Sequence, residues 1–334
     1  MKEASFYEKM NDKKVKCVLC PNNCILNNVQ TGKCRVRKNI EGILYSRVYG
    51  KISALNIDPI EKKPFYHYMP GKKVATIGSY GCNLSCTYCQ NYQISQTAGD
   101  DAEYENMLPE IIAEKIRGIE NNIGVAFSYN EPTVFYEYMR DIAVLVKKMG
   151  MKTLMITNGY INREPLLESF NFIDAYSIDL KGFNEKFYSN ICGGILEPVK
   201  ETIKACVKNG KHVEIENLII NENSGDMAEF EEMAKWIAME CSADVPLHLN
   251  MYHPAYKMSA MPVTIGKLEQ MREIAMKYLN FVYIGNTVEK KYSETICPQC
   301  GKISVTRDGY NRIINAGCNE KGECVSCGRK IFVG

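Results

Sequence analysis

Apolar and polar positions alternate in two rhythms along most of this 334-residue chain. From Val74 onward, short apolar runs bounded by turn residues take turns with stretches whose apolar residues recur every three or four positions. The first pattern marks buried strands, the second marks helices packed on them. The runs predict strands over residues 74–78, 124–129, 152–157, 172–180, 212–220, 247–252 and 281–284. The periodic stretches predict helices over 109–121, with Ile111, Ile112, Ile116 and Ile119 on it, and over 133–149, 198–209, 227–240 and 265–278. This alternation means an α/β fold with a parallel sheet, here a curved partial (β/α)6 barrel. Right-handed crossovers bring the C-terminal end of every strand to one rim, where such barrels carry their chemistry.

The flanks follow other patterns. Residues 1–73 read as a small Cys-rich, metal-binding N-terminal segment with a connector, residues 74–286 as the barrel, and residues 287–334 as a zinc-ribbon-like tail. In the connector, alternation over 43–48 suggests a short hairpin. His67, in the run DPIEKKPFYHYMPG, reads as part of a surface aromatic cluster rather than as a ligand.

Composition narrows the class without choosing a function. Hydrophobic content of 46% and charged content of 24% are ordinary for a globular protein. No apolar run is long enough to span a bilayer, and the opening MKEASFYEKMNDKK lacks the apolar core of a signal peptide. A cytoplasmic protein with no membrane partner is expected. Fifteen cysteines in that compartment read as metal or redox ligands, not disulfides. Residues 1–40 hold nine Lys/Arg against three acids; a solvated face explains this better than nucleic-acid binding does.

Twelve of the cysteines fall in three groups. The stretch SYGCNLSCTYCQNYQIS places Cys82, Cys86 and Cys89 in a C-x3-C-x2-C pattern on the loop after the 74–78 strand. Zinc usually takes four protein ligands, whereas three thiolates suit an iron–sulfur cluster with one open iron. Cys17, Cys20, Cys24 and Cys34 follow C-x2-C-x3-C-x9-C, which zinc and an auxiliary [4Fe–4S] cluster both fit. Nothing redox-specific accompanies these ligands, so zinc is the preferred expectation. In the tail, Cys297, Cys300, Cys324 and Cys327 form two knuckles of a zinc ribbon, with Cys318 as a spare ligand.

Polar residues gather at the predicted rim. Asn130 and Glu131 follow the 124–129 strand, with side chains suited to an amino-acid ammonium and carboxylate. Thr157 and Asn158 begin a tight turn. Asp179 and Lys181 share one face by strand alternation. His253 follows the 247–252 strand.

The CxxxCxφC arrangement of Cys82, Cys86, Tyr88 and Cys89 resembles the radical S-adenosylmethionine (SAM) superfamily. The resemblance implies a [4Fe–4S] cluster whose open iron chelates SAM. One electron then cleaves SAM to methionine and a 5′-deoxyadenosyl radical, which abstracts hydrogen from a substrate. It implies that Tyr88 packs by the adenine and that Glu131 holds the SAM amino group, as in the GGE-type motif, two of whose glycines are replaced here. Asp179-Leu180-Lys181 resembles the D-x-K of glycyl-radical-enzyme activases, and Tyr252-His253 with Lys257 looks like their YH…K element, whose His lies against SAM. Residues 17–285 are similar to one branch, the AmmeMemoRadiSam system enzymes, related to pyruvate formate-lyase activating enzyme. The carrying segments include CVLCPNNC, YGKISALNIDPIEKKPFYHYMPG, YNEPT, DLKGF and CGGILEPV. Asn250 and Met251 stand where that branch commonly has Ser-Arg, and its PG-x-ND turn is NENSGD here.

An electron donor such as flavodoxin or ferredoxin is implied, together with an unidentified substrate, a small molecule or a protein. Cys192 is the catalytic candidate, because a thiol yields its hydrogen atom readily and its loop leaves the rim of Asp179 and Lys181. Gly193 and Gly194 beside it would let a substrate or backbone approach closely. The plainer reading of Cys192 is a small buried hydrophobe. The competing function is a zinc-rich nucleic-acid- or protein-binding adaptor built on an inactive barrel.

Overall fold

Eight strands stand side by side in chain order in one sheet: β1 (Ala54–Pro59), β2 (Lys73–Gly78), β3 (Asn122–Phe127), β4 (Lys152–Thr157), β5 (Ala175–Asp179), β6 (His212–Ile219), β7 (Leu247–Met251) and β8 (Val282–Gly285). The computed structural model describes residues 1–97, 103–220, 226–287, 289–310, 312–315 and 317–334; most of the NENSGD turn lies outside them. Strands β2 to β8 are parallel, and β1 runs antiparallel along β2. The sheet therefore starts at Ala54, earlier than the apolar rhythm indicates. Leu55, Asn56 and Ile57 of β1 are exposed, so this edge strand lacks the continuous apolar run of the buried ones.

Among the described residues, six α-helices of seven residues or more connect the strands: α1 (Pro109–Arg117), α2 (Tyr136–Lys148), α3 (Arg163–Ser169), α4 (Glu197–Lys208), α5 (Met227–Glu240) and α6 (Ile265–Ala275). Each shows the chemistry that starts or faces it. Proline opens α1 at a position whose N–H would be unpaired anyway. The Asp226 carboxylate caps α5 by accepting from the N–H groups of Ala228 (2.8 Å) and Glu229 (3.0 Å). Met139, Ile142, Ala143 and Val146 form the buried stripe of α2. The short α3 was not expected. Strand β3 begins two residues before its predicted start because a bulge sits between Asn122 and Val125. Gly124 makes that bulge possible: a Cβ there would fall 1.8 Å from the Lys152 carbonyl oxygen.

The first 52 residues make short antiparallel strands. Arg37–Ile40 pairs with Ile43–Ser46 in a hairpin that starts earlier than the 43–48 alternation suggested, which covers only its second strand, and Val15–Cys17 lies between Tyr7–Lys9 and Ile25–Leu26. Their apolar residues join the barrel's own core. Near the other end, Thr295–Ile296, Ile303–Asp308 and Arg312–Asn315 form a three-stranded antiparallel sheet. Val305 of this sheet, with Ile331 and Phe332 from the chain beyond it, packs on Tyr66, Phe281 and Tyr283. His67 lies in this seam. It is buried, not on the surface, with Nδ1 2.5 Å from the Ile331 oxygen and Nε2 2.6 Å from the Tyr283 hydroxyl. Among the described residues, no helix is long and apolar enough to cross a membrane.

Candidate functional site

The C-terminal strand ends open into one cavity of about 560 Å³. Cys82, Cys86 and Cys89 line one side of it, Asp179, Glu216 and Asn250 another. Several neighbours fix the cysteine loop. Asn130 accepts from the Ser79 N–H (3.0 Å) and donates to the Gly81 carbonyl (2.9 Å). The N–H groups of Ser85 and Thr87 donate to the carbonyls of Cys192 and Ile191 at 2.8 and 3.0 Å. The close approach of that second loop needs Gly193 and Gly194: added Cβ atoms would lie 2.3 Å from Ser85 Oγ and 2.5 Å from Leu84 Cδ2. These glycines thus admit the cysteine loop itself. Cys192 is fully buried behind it, 3.7 Å from the Tyr88 hydroxyl, and does not line the cavity.

Glu131 is buried, and its carboxylate accepts four hydrogen bonds: from the N–H and hydroxyl of Thr133 (3.0 and 2.7 Å), from the Thr157 hydroxyl (2.7 Å) and from the Asn158 N–H (2.9 Å). Burial lifts its carboxyl above the usual range, and these donors oppose that rise. The residue pins the ends of β3 and β4 together at the cavity wall. Asn158 in turn donates to Asn83 Oδ1 (2.9 Å) and reaches Cys82 Sγ at 3.7 Å.

The opposite wall is a lateral row. Asp179, Glu216, His248 and Tyr283 are register partners across β5 to β8. Lys181 Nζ lies 2.9 Å from Asp179 Oδ2, and Asn250 Nδ2 donates to Glu216 Oε1 at 2.6 Å. Burial works against the Lys181 charge, but Asp179 and the neighbouring thiols raise it well above the usual lysine value. Burial, then the Asp179 carboxylate, push the Glu216 carboxyl well above the carboxylate range. The low-dielectric setting thus disfavours charge on Glu216, which stands beside the Asp179–Lys181 ion pair. Gly285 leaves room for Asn250, whose Oδ1 would sit 2.0 Å from a Cβ there.

Of the residues singled out in the sequence, Cys82, Cys86, Tyr88, Cys89, Asn130, Glu131, Thr157, Asn158, Asp179 and Lys181 all line this cavity. His253 does not: it is exposed, and its backbone carbonyl takes a hydrogen bond from Gln90. Glu216, His248 and Asn250 were missed. Their signal was there, as period-two polar positions inside two otherwise apolar strands. Glu61, Lys62 and Lys63 of the connector and Tyr310 of the tail also line the cavity, and no local pattern announces that.

A family model described as the Radical SAM superfamily matches residues 76–237. An uncharacterised protein of Methanocaldococcus jannaschii is 42% identical over 337 aligned residues, spanning 100% of this chain and 99% of that one. The chain belongs to the radical SAM superfamily. It is also 29% identical to the pyruvate formate-lyase 1-activating enzyme of Escherichia coli over 116 residues, 34% of this chain and 47% of that enzyme. A solved domain of pyruvate-formate lyase-activating enzyme from Bacteroides vulgatus aligns at 22% identity and a TM-score of 0.43, over 49% of this chain and 99% of that one.

Superfamily membership implies a [4Fe–4S] cluster and SAM. The cavity's cysteines suit such a cluster. None of the fifteen cysteines forms a disulfide, three thiols meet at one side of the cavity, and the Leu84 N–H already points at Cys82 Sγ (3.4 Å). In the tail, the ligand atoms of Cys297, Cys300, Cys324 and Cys327 all lie within 4.8 Å of one another, a group that could hold a metal, and Cys318 stands outside it.

Proposed function

We propose that this chain is a radical SAM enzyme of the activase-like kind, acting on a substrate still to be identified. A [4Fe–4S] cluster held by Cys82, Cys86 and Cys89, with SAM on its open iron, would supply a 5′-deoxyadenosyl radical by one-electron cleavage of SAM. The observation that carries this reading is the convergence of those three thiols with the Asp179–Lys181–Glu216–Asn250 row on one cavity. Asn130, Glu131, Thr157 and Asn158 position the loops around the amino-acid end of SAM. Tyr88 flanks the cluster loop. Asp179 and Lys181 offer an ion pair for the polar parts of SAM, and Glu216, held by Asn250, lies beside them. A flavodoxin or ferredoxin would deliver the electron, and the tail's four cysteines would hold zinc.

The test is anaerobic. The iron-loaded chain, reduced with dithionite, should convert SAM to 5′-deoxyadenosine and methionine, and Cys86→Ala should abolish that. Loaded wild-type chain that forms no 5′-deoxyadenosine would overturn the proposal and leave the adaptor reading.

A further inference from the structure

One group of four cysteines belongs neither to the cavity nor to the tail. Cys17, Cys20, Cys24 and Cys34 line a small separate cavity together with Arg37. The pairing of Val15–Cys17 with Ile25–Leu26 folds this segment back on itself, and the Cys17 N–H donates to the Cys24 carbonyl at 2.9 Å. Cys17 and Cys34 are buried.

Arg37 is an independent sign of a ligand. Its side chain is 1% exposed. One terminal nitrogen donates to both Glu137 carboxylate oxygens at 2.7 Å and the other to the Ser5 carbonyl at 3.1 Å. Its Nε has no hydrogen-bond partner among the described residues, although the side chain lines the cavity. A buried cationic donor left open beside four thiols calls for an anionic acceptor between them.

Sulfur spacing tells which one. A single tetrahedral zinc, with Zn–S near 2.3 Å, holds its sulfurs about 3.8 Å apart. The tail's four cysteines meet that gauge, and among the described residues they are the one group of three or more potential ligands lying within 4.8 Å of one another. Cys17, Cys20, Cys24 and Cys34 enclose a cavity without closing to that distance. In a [4Fe–4S] cluster each thiolate binds a different iron, so its sulfurs stand farther apart than around one ion. Among the described residues, Cys82, Cys86 and Cys89 likewise do not close to within 4.8 Å of one another.

We propose that Cys17, Cys20, Cys24 and Cys34 hold a second [4Fe–4S] cluster, ligated by four thiolates, toward which Arg37 directs its Nε–H. This replaces the zinc preferred from the sequence, where the spacing fits both metals and nothing redox-specific accompanies the ligands. The site abuts the cavity's cysteine loop: Asn22 donates to the Asn83 carbonyl at 2.7 Å, and the Cys34 carbonyl touches Gly81.

Metal counting with Mössbauer and EPR spectroscopy on the anaerobically reconstituted full chain tests this. Wild type should carry about eight irons and one zinc. With Cys82, Cys86 and Cys89 all changed to Ala, about four irons should remain, and the dithionite-reduced EPR signal should not shift when SAM is added, because four thiolates leave no open iron. Cys20→Ala with Cys24→Ala should lose those irons and keep a SAM-responsive signal. About four irons and two zincs in wild type would overturn the proposal, as would a triple variant that binds zinc and no iron. The wild-type count decides the matter even where a variant fails to fold.

Discussion

Glu214 and Glu216 stand two residues apart on β6 and face the same side of the sheet, yet their carboxyls experience opposite surroundings. Glu214 accepts from the Tyr66 N–H (2.9 Å), the His67 N–H (2.7 Å), His212 Nε2 (2.9 Å) and His248 Nε2 (2.7 Å). Burial alone would raise it, but these donors hold it well below the carboxylate range. Glu216 is pushed the other way. Replacing Glu214 with Ala should cost about 3–5 kcal/mol of unfolding free energy, the loss typical when one member of a buried charged network is removed; urea denaturation checks it. Glu216→Gln keeps the size and the acceptor oxygen that Asn250 uses, in surroundings that disfavour charge, and should stay within about 1 kcal/mol of wild type. The same experiment separates the two, and a Glu216 variant as unstable as the Glu214 one would refute the contrast between their surroundings. At this scale the cysteines were legible because their chemistry lies in local spacing. Glu214 was not, because three of its four donors come from residues 66, 67 and 248, which only the fold brings together.

Whole elements were easier to read where burial is two-sided. The parallel strands announce themselves as apolar runs and α2 as a 3.6-residue stripe. The edge strand β1 and the short α3 carried no such signal, and the Gly124 bulge moved β3 off its apparent register. The segment after β1 shows what the pattern omits. Residues 66–69 are stitched to the chain's last strand-like stretch: the Val333 N–H donates to the His67 carbonyl at 2.8 Å, and the Met69 N–H to the Val333 carbonyl at 2.7 Å. Burial drops the His67 imidazole from about 6.5 to about 4. The folded state thus binds fewer protons than the unfolded one between those values. The stability His67 contributes is complete above about pH 6.5 and is lost as pH falls toward 4. Between pH 7 and pH 4.5 wild type should lose on the order of 3 kcal/mol more than His67→Gln. Parallel slopes for the two proteins in urea titrations would contradict this.

Across the molecule, three cysteine groups serve one sheet from three directions. The tail is more than an appendage, since Tyr310 lines the cavity and Arg307 donates to the Tyr66 carbonyl at 2.8 Å while lying over the Tyr66 ring. Its four grouped cysteines are none of those in the other two groups. Cys297→Ser should therefore lose about one zinc per chain with iron unchanged. Loss of iron with zinc retained would reverse the division of metals. The sequence pointed to three modules; the packing makes two of them walls and braces of the third.

Gly81 shows what that bracing entails. Its φ is +83°, and a Cβ would lie 2.6 Å from both the Cys34 carbonyl oxygen and Val36 Cγ1. One added methyl here would be felt by two cysteine sites at once, so neither can drift at this position alone. A chimera that transplanted the 79–95 loop into another barrel would have to bring residues 17–36 along as its back wall. The unit of inheritance is the pair of loops, though some forty residues of chain separate them.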